Sequence, residues 1–341
     1  MYVNHKALFC LCQRMISLEK NKVFVLISVM FFVVLVLLLQ KSNFLQELEE
    51  IQAQKAFRSG ILALEAKYEG DADALFSYHG EARIHPGSNF KLFTAAAALA
   101  NLSPEFRFKT SLYLYRENGK SNLVFVGGGD PTLRQHHFEE FVSAVKKRGF
   151  ISGNIYYDDS IFRGETLGPE WAQDWKDEYF AVPITGLQIN DNLLQVRGLT
   201  DEATQKFTVR TWPIENYKAI IDDMTYFQNP NDMKVGITAS MDEGGAIIVR
   251  GDTMKSLPFA ASVVMREPSV MTAQVLKQEL LKAHLISVNA EVLPFEAEQY
   301  GTLLVEHQSV ALPEIILHML KFSKNDYAES LVRMLGKEIG G

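Results

Sequence analysis

The chain has 341 residues, 47% of them hydrophobic and 22% charged, enough for a sizeable core in one large domain or two or three smaller ones. Its formal net charge of −7 disfavours non-specific nucleic-acid binding, so no nucleic-acid partner is expected. The charge is uneven: residues 1–41 hold five of the 34 Lys/Arg (Lys6, Arg14, Lys20, Lys22, Lys41) and one of the 41 Asp/Glu (Glu19), so the remainder carries a net −11.

Residues 23–39 read VFVLISVMFFVVLVLLL, with no charge and Ser28 as the only polar side chain. As a helix this run spans about 25 Å, close to the hydrocarbon thickness of a bilayer when flanking lysines snorkel. A buried core helix is the alternative, but such helices rarely lack a polar face over five turns. A cleaved signal peptide is the closer rival. It needs small residues after the apolar core, and the chain continues QKSNFLQELEE, with no A-x-A-like site and no lipid-attachment cysteine. The expectation is an uncleaved signal anchor: a cytoplasmic tail at 1–22, a transmembrane helix at 23–39, and the bulk of the chain outside the membrane. Cys10 and Cys12 fall in the tail, in FCLC; no second pair accompanies them, so metal binding is disfavoured. The exterior part has no cysteine and must fold without disulfides.

Residues 40–58 have helical spacing, with Phe44, Leu48 and Ile51 on one side, and are read as a short polar stalk. In 60–87, Ile61, Leu62 and Leu64 are strand-like, EGDAD is a turn and ALFSYHG returns, which predicts a β-hairpin leading to Pro86-Gly87. Ser88 then stands where a helix N-cap or first-turn residue belongs, ahead of NFKLFTAAAALANL. That helix is apolar on nearly every side, which predicts burial.

Residues three apart share a helix face, so the Lys91 amine reaches the Ser88 hydroxyl. Burial lowers a lysine pKa, a neutral amine is a competent base, and a helix N-terminus favours an oxyanion. Ser88-x-x-Lys91 thus reads either as a nucleophile with its base or as a capping serine and an emerging lysine; the spacing alone leaves both open. Further on, FSKNDYAES places Ser323-x-Asn325 between two apolar helical runs. A serine and an asparagine two apart on a turn can enter one cleft, where the hydroxyl relays a proton and the carboxamide holds a substrate amide. Alone, this too reads as an ordinary capped turn. The intervening segment is β-rich (LVFVGGGDPTL, GNIYYDDSIF, LLQVRGL, QKFTVRTW, AIIVRGDT), with helices expected at 133–149 and 271–284. GGGDP lacks the G-K-[ST] of a phosphate loop and reads as a structural turn; His136, His137 and His307 lack metal-like spacing and read as surface or packing residues.

Together the two motifs are the first two of three signatures of penicillin-binding proteins and serine β-lactamases. PGSNFKLFTAAAAL, FVGGGDPTL, GNIYYDDSIF, YFAVPITGLQINDN and EHQSVALPEIILHMLKFSKNDYAESLVRMLG resemble, in order over residues 60–341, segments of the class C low-molecular-mass penicillin-binding proteins, the D-alanyl-D-alanine carboxypeptidases and endopeptidases of peptidoglycan. The resemblance implies an α+β fold. A serine β-lactamase/transpeptidase-like domain, helices on an antiparallel sheet, would be formed by 59–112 and 303–341, with β-rich inserted domains at 113–302. It also implies a serine-type D-Ala-D-Ala carboxypeptidase acting on peptidoglycan stem peptides, with β-lactams as acylating inhibitors and no cofactor. Ser88 would attack, Lys91 act as base, Ser323 relay the proton and Asn325 orient the peptide. The third signature, Lys-Thr-Gly, is not found in the 18 residues after Ser323. The chain is therefore expected to be truncated before that motif, with C-terminal strands missing and its activity in doubt. The alternatives are an inactive membrane-tethered remnant or wall-binding protein and, less favoured because the insertion resembles that of the carboxypeptidases, a β-lactam sensor or β-lactamase.

Overall fold

The computed structural model describes residues 41–54, 60–162, 164–169, 171, 175–200, 207–215, 217–227, 237–254 and 259–340. The expected transmembrane helix at 23–39 and the tail at 1–22 lie outside these residues. Among the described residues, no helix is long and apolar enough to cross a membrane. The chain divides at Gly87/Ser88 into two compact units.

The first unit contains helix α1 (Lys41–Ala53) and a hairpin of β1 (Leu64–Ala66) and β2 (Phe76–Tyr78), paired antiparallel with Leu64 opposite Tyr78. The expected hairpin is present with three residues in each strand. The expected polar stalk is corrected: α1 packs its apolar side on the hairpin. Leu48, Phe76 and Tyr78 are buried with Phe44, Leu62 and Ala66 around them, and the Phe44 and Phe76 rings meet edge-on at 4.9 Å. The apolar stripe seen in the sequence is thus a packing face, because an aromatic ring left in water forfeits the gain of burial.

The second unit begins at Ser88, within a 3-10 turn, Gly87–Phe90, that runs into helix α2 (Lys91–Asn101). A five-stranded sheet follows, in the order β12-β5-β4-β3-β13. Its strands are β3 (Lys109–Glu117), β4 (Lys120–Val126), β5 (Ile155–Asp158), β12 (Val292–Pro294) and β13 (Thr302–Gln308). β3 and β4 form a hairpin, β4, β5 and β12 run parallel, and β13 returns antiparallel to β3. Alternation along β3 sends Leu112 and Leu114 to the side packed by helices α3 (Phe138–Arg148) and α4 (Pro268–Lys282), where Phe125, Phe138, Phe141 and Leu276 are almost wholly buried. Each such side chain contributes about 1.5–3 kcal/mol. Two three-stranded sheets complete the β-rich segment. One is β11-β6-β7, from β6 (Leu193–Thr200), β7 (Phe207–Trp212) and β11 (Phe259–Val264). The other is β8-β10-β9, from β8 (Ala219–Phe227), β9 (Thr238–Met241) and β10 (Ile247–Met254).

Both expected domain boundaries, at 112/113 and 302/303, fall inside strands of the five-stranded sheet, because β3 and β13 pair with each other from Lys109–Gln308 to Leu114–Thr302. The GGGDP turn is a close-approach turn. A side chain at Gly128 would stand 1.8 Å from the Lys109 carbonyl oxygen, and one at Gly127 2.3 Å from the Gly186 carbonyl.

The last two helices, α5 (Leu312–Phe322) and α6 (Asn325–Gly340), pack with α2. Their shared core is Ala95, Ala98, Phe108, Ile315, Met319, Tyr327 and Leu331. The expectation that α2 is buried all round is corrected. Lys91, Thr94, Ala95 and Ala98 are buried, whereas Phe90, Leu92, Phe93 and Leu99 are exposed, since α5 and α6 contact one face only.

Candidate active site

Ser88 lies in the 3-10 turn and Lys91 is the first residue of α2. The residue in the N-cap position is Phe90, which makes no side-chain capping bond, so Ser88 does not cap the helix. Instead, the one-turn offset sets the two side chains side by side: Lys91 Nζ lies 3.1 Å from Ser88 Oγ. Ser88 is exposed while Lys91 is only 7% exposed, so the hydroxyl faces solvent and the amine lies beneath it. Burial pushes the Lys91 amine below its ordinary range, and the nearby Asp326 carboxyl partly offsets this.

The second motif arrives from the far end of the chain. Helix α5 ends at Ser323, which adopts the left-handed conformation (φ 55°, ψ 38°), uncommon for a residue with a Cβ. Its amide N–H and that of Lys324 both donate to the Met319 carbonyl, and α6 restarts at Asn325. This sharp link turns the Ser323 hydroxyl toward the first motif, where it donates to Ser88 Oγ at 2.8 Å. Lys91 Nζ donates to Asn325 Oδ1 at 2.5 Å. Asn325 Nδ2 donates to the Phe180 carbonyl at 2.8 Å, which also fixes which end of the carboxamide faces the amine. All four residues singled out from the sequence, Ser88, Lys91, Ser323 and Asn325, therefore meet within hydrogen-bond reach.

The geometry permits a defined proton path. A neutral Lys91 amine keeps one N–H on Asn325 and turns its lone pair to Ser88, so Ser88 becomes the donor and its oxygen a nucleophile. Ser323, also touching Ser88 Oγ, stands ready to pass a proton onward.

Sequence reasoning assigned no role to the groups around the second motif. Lys324 bridges Asp191 Oδ2 (3.3 Å) and Asp326 Oδ2 (3.4 Å), and Arg134 holds Asp191 Oδ1 at 2.6 Å and donates to the Tyr327 hydroxyl at 3.0 Å. The alternating charges of SKND were the only visible signal. His137 stacks on His307 at 4.4 Å, and His307 Nδ1 meets Glu140 at 2.8 Å, a packing arrangement. Burial, with the neighbouring His307 and His136, lowers His137 to about 4. Among the described residues, no group of three or more His, Cys, Asp or Glu is placed to hold a metal ion.

The D-alanyl-D-alanine carboxypeptidase of Actinomadura sp. (strain R39) is 26% identical to this chain over 318 residues, covering 87% of this chain and 58% of that protein. D-alanyl-D-alanine carboxypeptidase DacB of Haemophilus influenzae is 25% identical over 283 residues, covering 79% and 57%. The crystal structure of penicillin binding protein 4 from Haemophilus influenzae superposes with a TM-score of 0.64 at 23% identity, covering 78% of this chain and 60% of that one. The same protein complexed with a novel β-lactam gives a TM-score of 0.58. The fold is therefore that of a penicillin-binding protein, mixed α+β with several sheets. The chain spans 57–58% of the length of the two curated relatives. The family model of D-Ala-D-Ala carboxypeptidase 3 (S13) matches residues 44–341, the larger part of the sequence, and on that match the chain belongs to this family.

Proposed function

We propose that the protein is a serine-type D-Ala-D-Ala carboxypeptidase that acts on peptidoglycan stem peptides through an acyl-serine intermediate. The observation that carries this reading is the convergence on Ser88 Oγ of Lys91 Nζ at 3.1 Å and Ser323 Oγ at 2.8 Å, from opposite ends of the unit. Lys91 removes the Ser88 proton, and Ser88 attacks the carbonyl of the penultimate D-Ala. The tetrahedral intermediate collapses as Ser323 delivers its proton to the departing D-Ala nitrogen and takes up the proton held by Lys91, which leaves the amine neutral again. Asn325, already bonded to Lys91 and to the Phe180 carbonyl, orients the peptide amide. Water, activated by the same amine, then hydrolyses the ester and frees Ser88. A β-lactam offers the same carbonyl to Ser88, and its opened ring stays attached, so β-lactams acylate the enzyme.

In this reading the regions expected as 59–112 and 303–341 belong to the catalytic domain, helices on an antiparallel sheet, and 113–302 are β-rich insertions, with the boundaries moved off the paired strands β3 and β13. Residues 23–39 anchor the protein in a bacterial cell membrane with its N-terminus cytoplasmic, which places the chemistry on the side where peptidoglycan lies. The uncharged run and the basic bias before it support this.

The test is incubation of the full chain with a fluorescent penicillin and, separately, with a D-Ala-D-Ala peptide. A covalent label mapped by peptide mass to Ser88, with D-Ala released, is the expected result. A label elsewhere, or rapid turnover of the penicillin with no D-Ala released, overturns it.

A further inference from the structure

The left-handed turn that carries Ser323 is closed locally by the Ser323 and Lys324 amides on the Met319 carbonyl. It is also held from outside by a run of charges. Arg134 is fixed by four donated bonds: to the Pro131 and Leu133 carbonyls at 3.0 Å each, to Asp191 Oδ1 at 2.6 Å, and to the Tyr327 hydroxyl at 3.0 Å. Asp191 stands in the middle of three consecutive left-handed residues, Asn190, Asp191 and Asn192 (φ 50°, 59° and 56°). That conformation is itself propped. Asn192 Nδ2 donates to the Pro183 carbonyl at 2.7 Å and to Gln188 Oε1 at 3.0 Å, and Asn190 Oδ1 accepts the Gln135 amide at 3.2 Å. The second Asp191 oxygen meets Lys324 at 3.3 Å, and Lys324, only 20% exposed, also meets Asp326 at 3.4 Å. Two strained loops, more than 130 residues apart in the chain, are thus tied through one lysine.

The tie is placed where a small displacement matters. Lys324 lies between the two residues that reach the first motif, Ser323 on Ser88 and Asn325 on Lys91. A misplacement of about 1 Å at a reacting group costs on the order of 100-fold in rate. We propose that Arg134 and Asp191, from the long segment between the two motifs, are positioning residues that act through Lys324 to hold Ser323 and Asn325 against Ser88 and Lys91. The long β-rich segment is then part of the working site and not a detached module. This rests on the reading of Ser88 as nucleophile and Lys91 as base.

The experiment compares the full chain with Asp191→Ala, Lys324→Met, the double variant and Lys324→Arg. Three quantities are read: the second-order rate of Ser88 acylation by a fluorescent penicillin, hydrogen exchange of the backbone at 319–327, and thermal melting. Each single loss is expected to slow acylation about 10- to 100-fold. The double variant is expected to be no slower than the worse single, since both remove one tie. Lys324→Arg keeps the charge and is expected to stay within about threefold of the parent. Faster exchange is expected at 319–327, with the strands and α4 unchanged. Wild-type rates and exchange in the single variants overturn the proposal. So does a loss that Lys324→Arg fails to rescue, or one accompanied by faster exchange throughout 88–340. Should the parent chain not be acylated at Ser88, the nucleophile reading fails, and exchange alone then decides: a local rise at 319–327 supports the tie, and no change overturns it.

Discussion

The two halves of the candidate site are built by different physics. Ser88 and Lys91 are brought together by local geometry: one turn separates them, and a 3-10 turn running into a helix sets their side chains 3.1 Å apart. Ser323 and Asn325 sit on a left-handed link between α5 and α6, and their bonds run to Ser88, Lys91 and the Phe180 carbonyl, residues far away in the chain. The first half keeps its geometry as long as its helix forms. The second keeps it only while the tertiary structure supplies partners. Substitutions in the first half should therefore change chemistry with little effect on folding, whereas those around the second should couple chemistry to order.

The sharpest test of that contrast is Ser88→Ala. Penicillin labelling is expected to vanish on a gel, while melting stays close to the parent, because the side chain is exposed and buries nothing. Lys91→Met comes next, with acylation expected to fall about 10²–10⁴-fold, the usual worth of a positioned base. In the parent the acylation rate should rise with pH as the amine loses its proton. Burial lowers the Lys91 pKa, so this rise should come at lower pH than a solvated lysine would give; a stopped-flow pH profile reads it.

Gly128→Ala tests the scaffold on which the second half depends. The added methyl would lie 1.8 Å from the Lys109 carbonyl oxygen, so strand β3 or the GGGDP turn must move. The expected cost is about 1–3 kcal/mol or somewhat more, read as a lowered urea midpoint. Gln188 donates to the Gly129 carbonyl at 3.1 Å and to Ser330 of α6 at 3.0 Å, so acylation should weaken along with stability.

Asp326→Asn has the smallest expected effect. Burial raises this carboxyl from 3.8 to about 6, with Asp191 adding to the rise and Lys324 and Arg134 opposing it. The folded state therefore holds the proton more tightly than the unfolded chain. The resulting stability is fully present below about pH 4 and is lost as pH rises through about 6. Asparagine removes that dependence, so melting of the variant relative to the parent should improve between pH 4 and 7. An unchanged difference across that window counts against a buried, raised carboxyl.

Much of this was legible in the sequence. The hairpin of β1 and β2 followed from strand-like residues around EGDAD, and the helices expected at 133–149 and 271–284 are present at 138–148 and 268–282. These are local features, set by residues a few positions apart. Two readings failed for one shared reason. The face of α1 carrying Phe44 and Leu48 looked like part of a stalk, and α2 looked buried on all sides, because apolar residues announce that they prefer a partner without saying whether one is present.

The sequence by itself determined the chemistry available: a serine one turn from a lysine, a second serine and an asparagine two apart, and the order in which they occur. Only the tertiary structure decided that Ser323 would be left-handed, that its hydroxyl would stand 2.8 Å from Ser88 across 235 residues, and that Lys324 would be clasped by Asp191 and Asp326. The physical reason is reach. A helix turn ties residues three or four apart through the backbone, so its consequences can be read along the chain. A contact across hundreds of residues exists only once the whole core has closed and repaid the entropy of bringing its ends together.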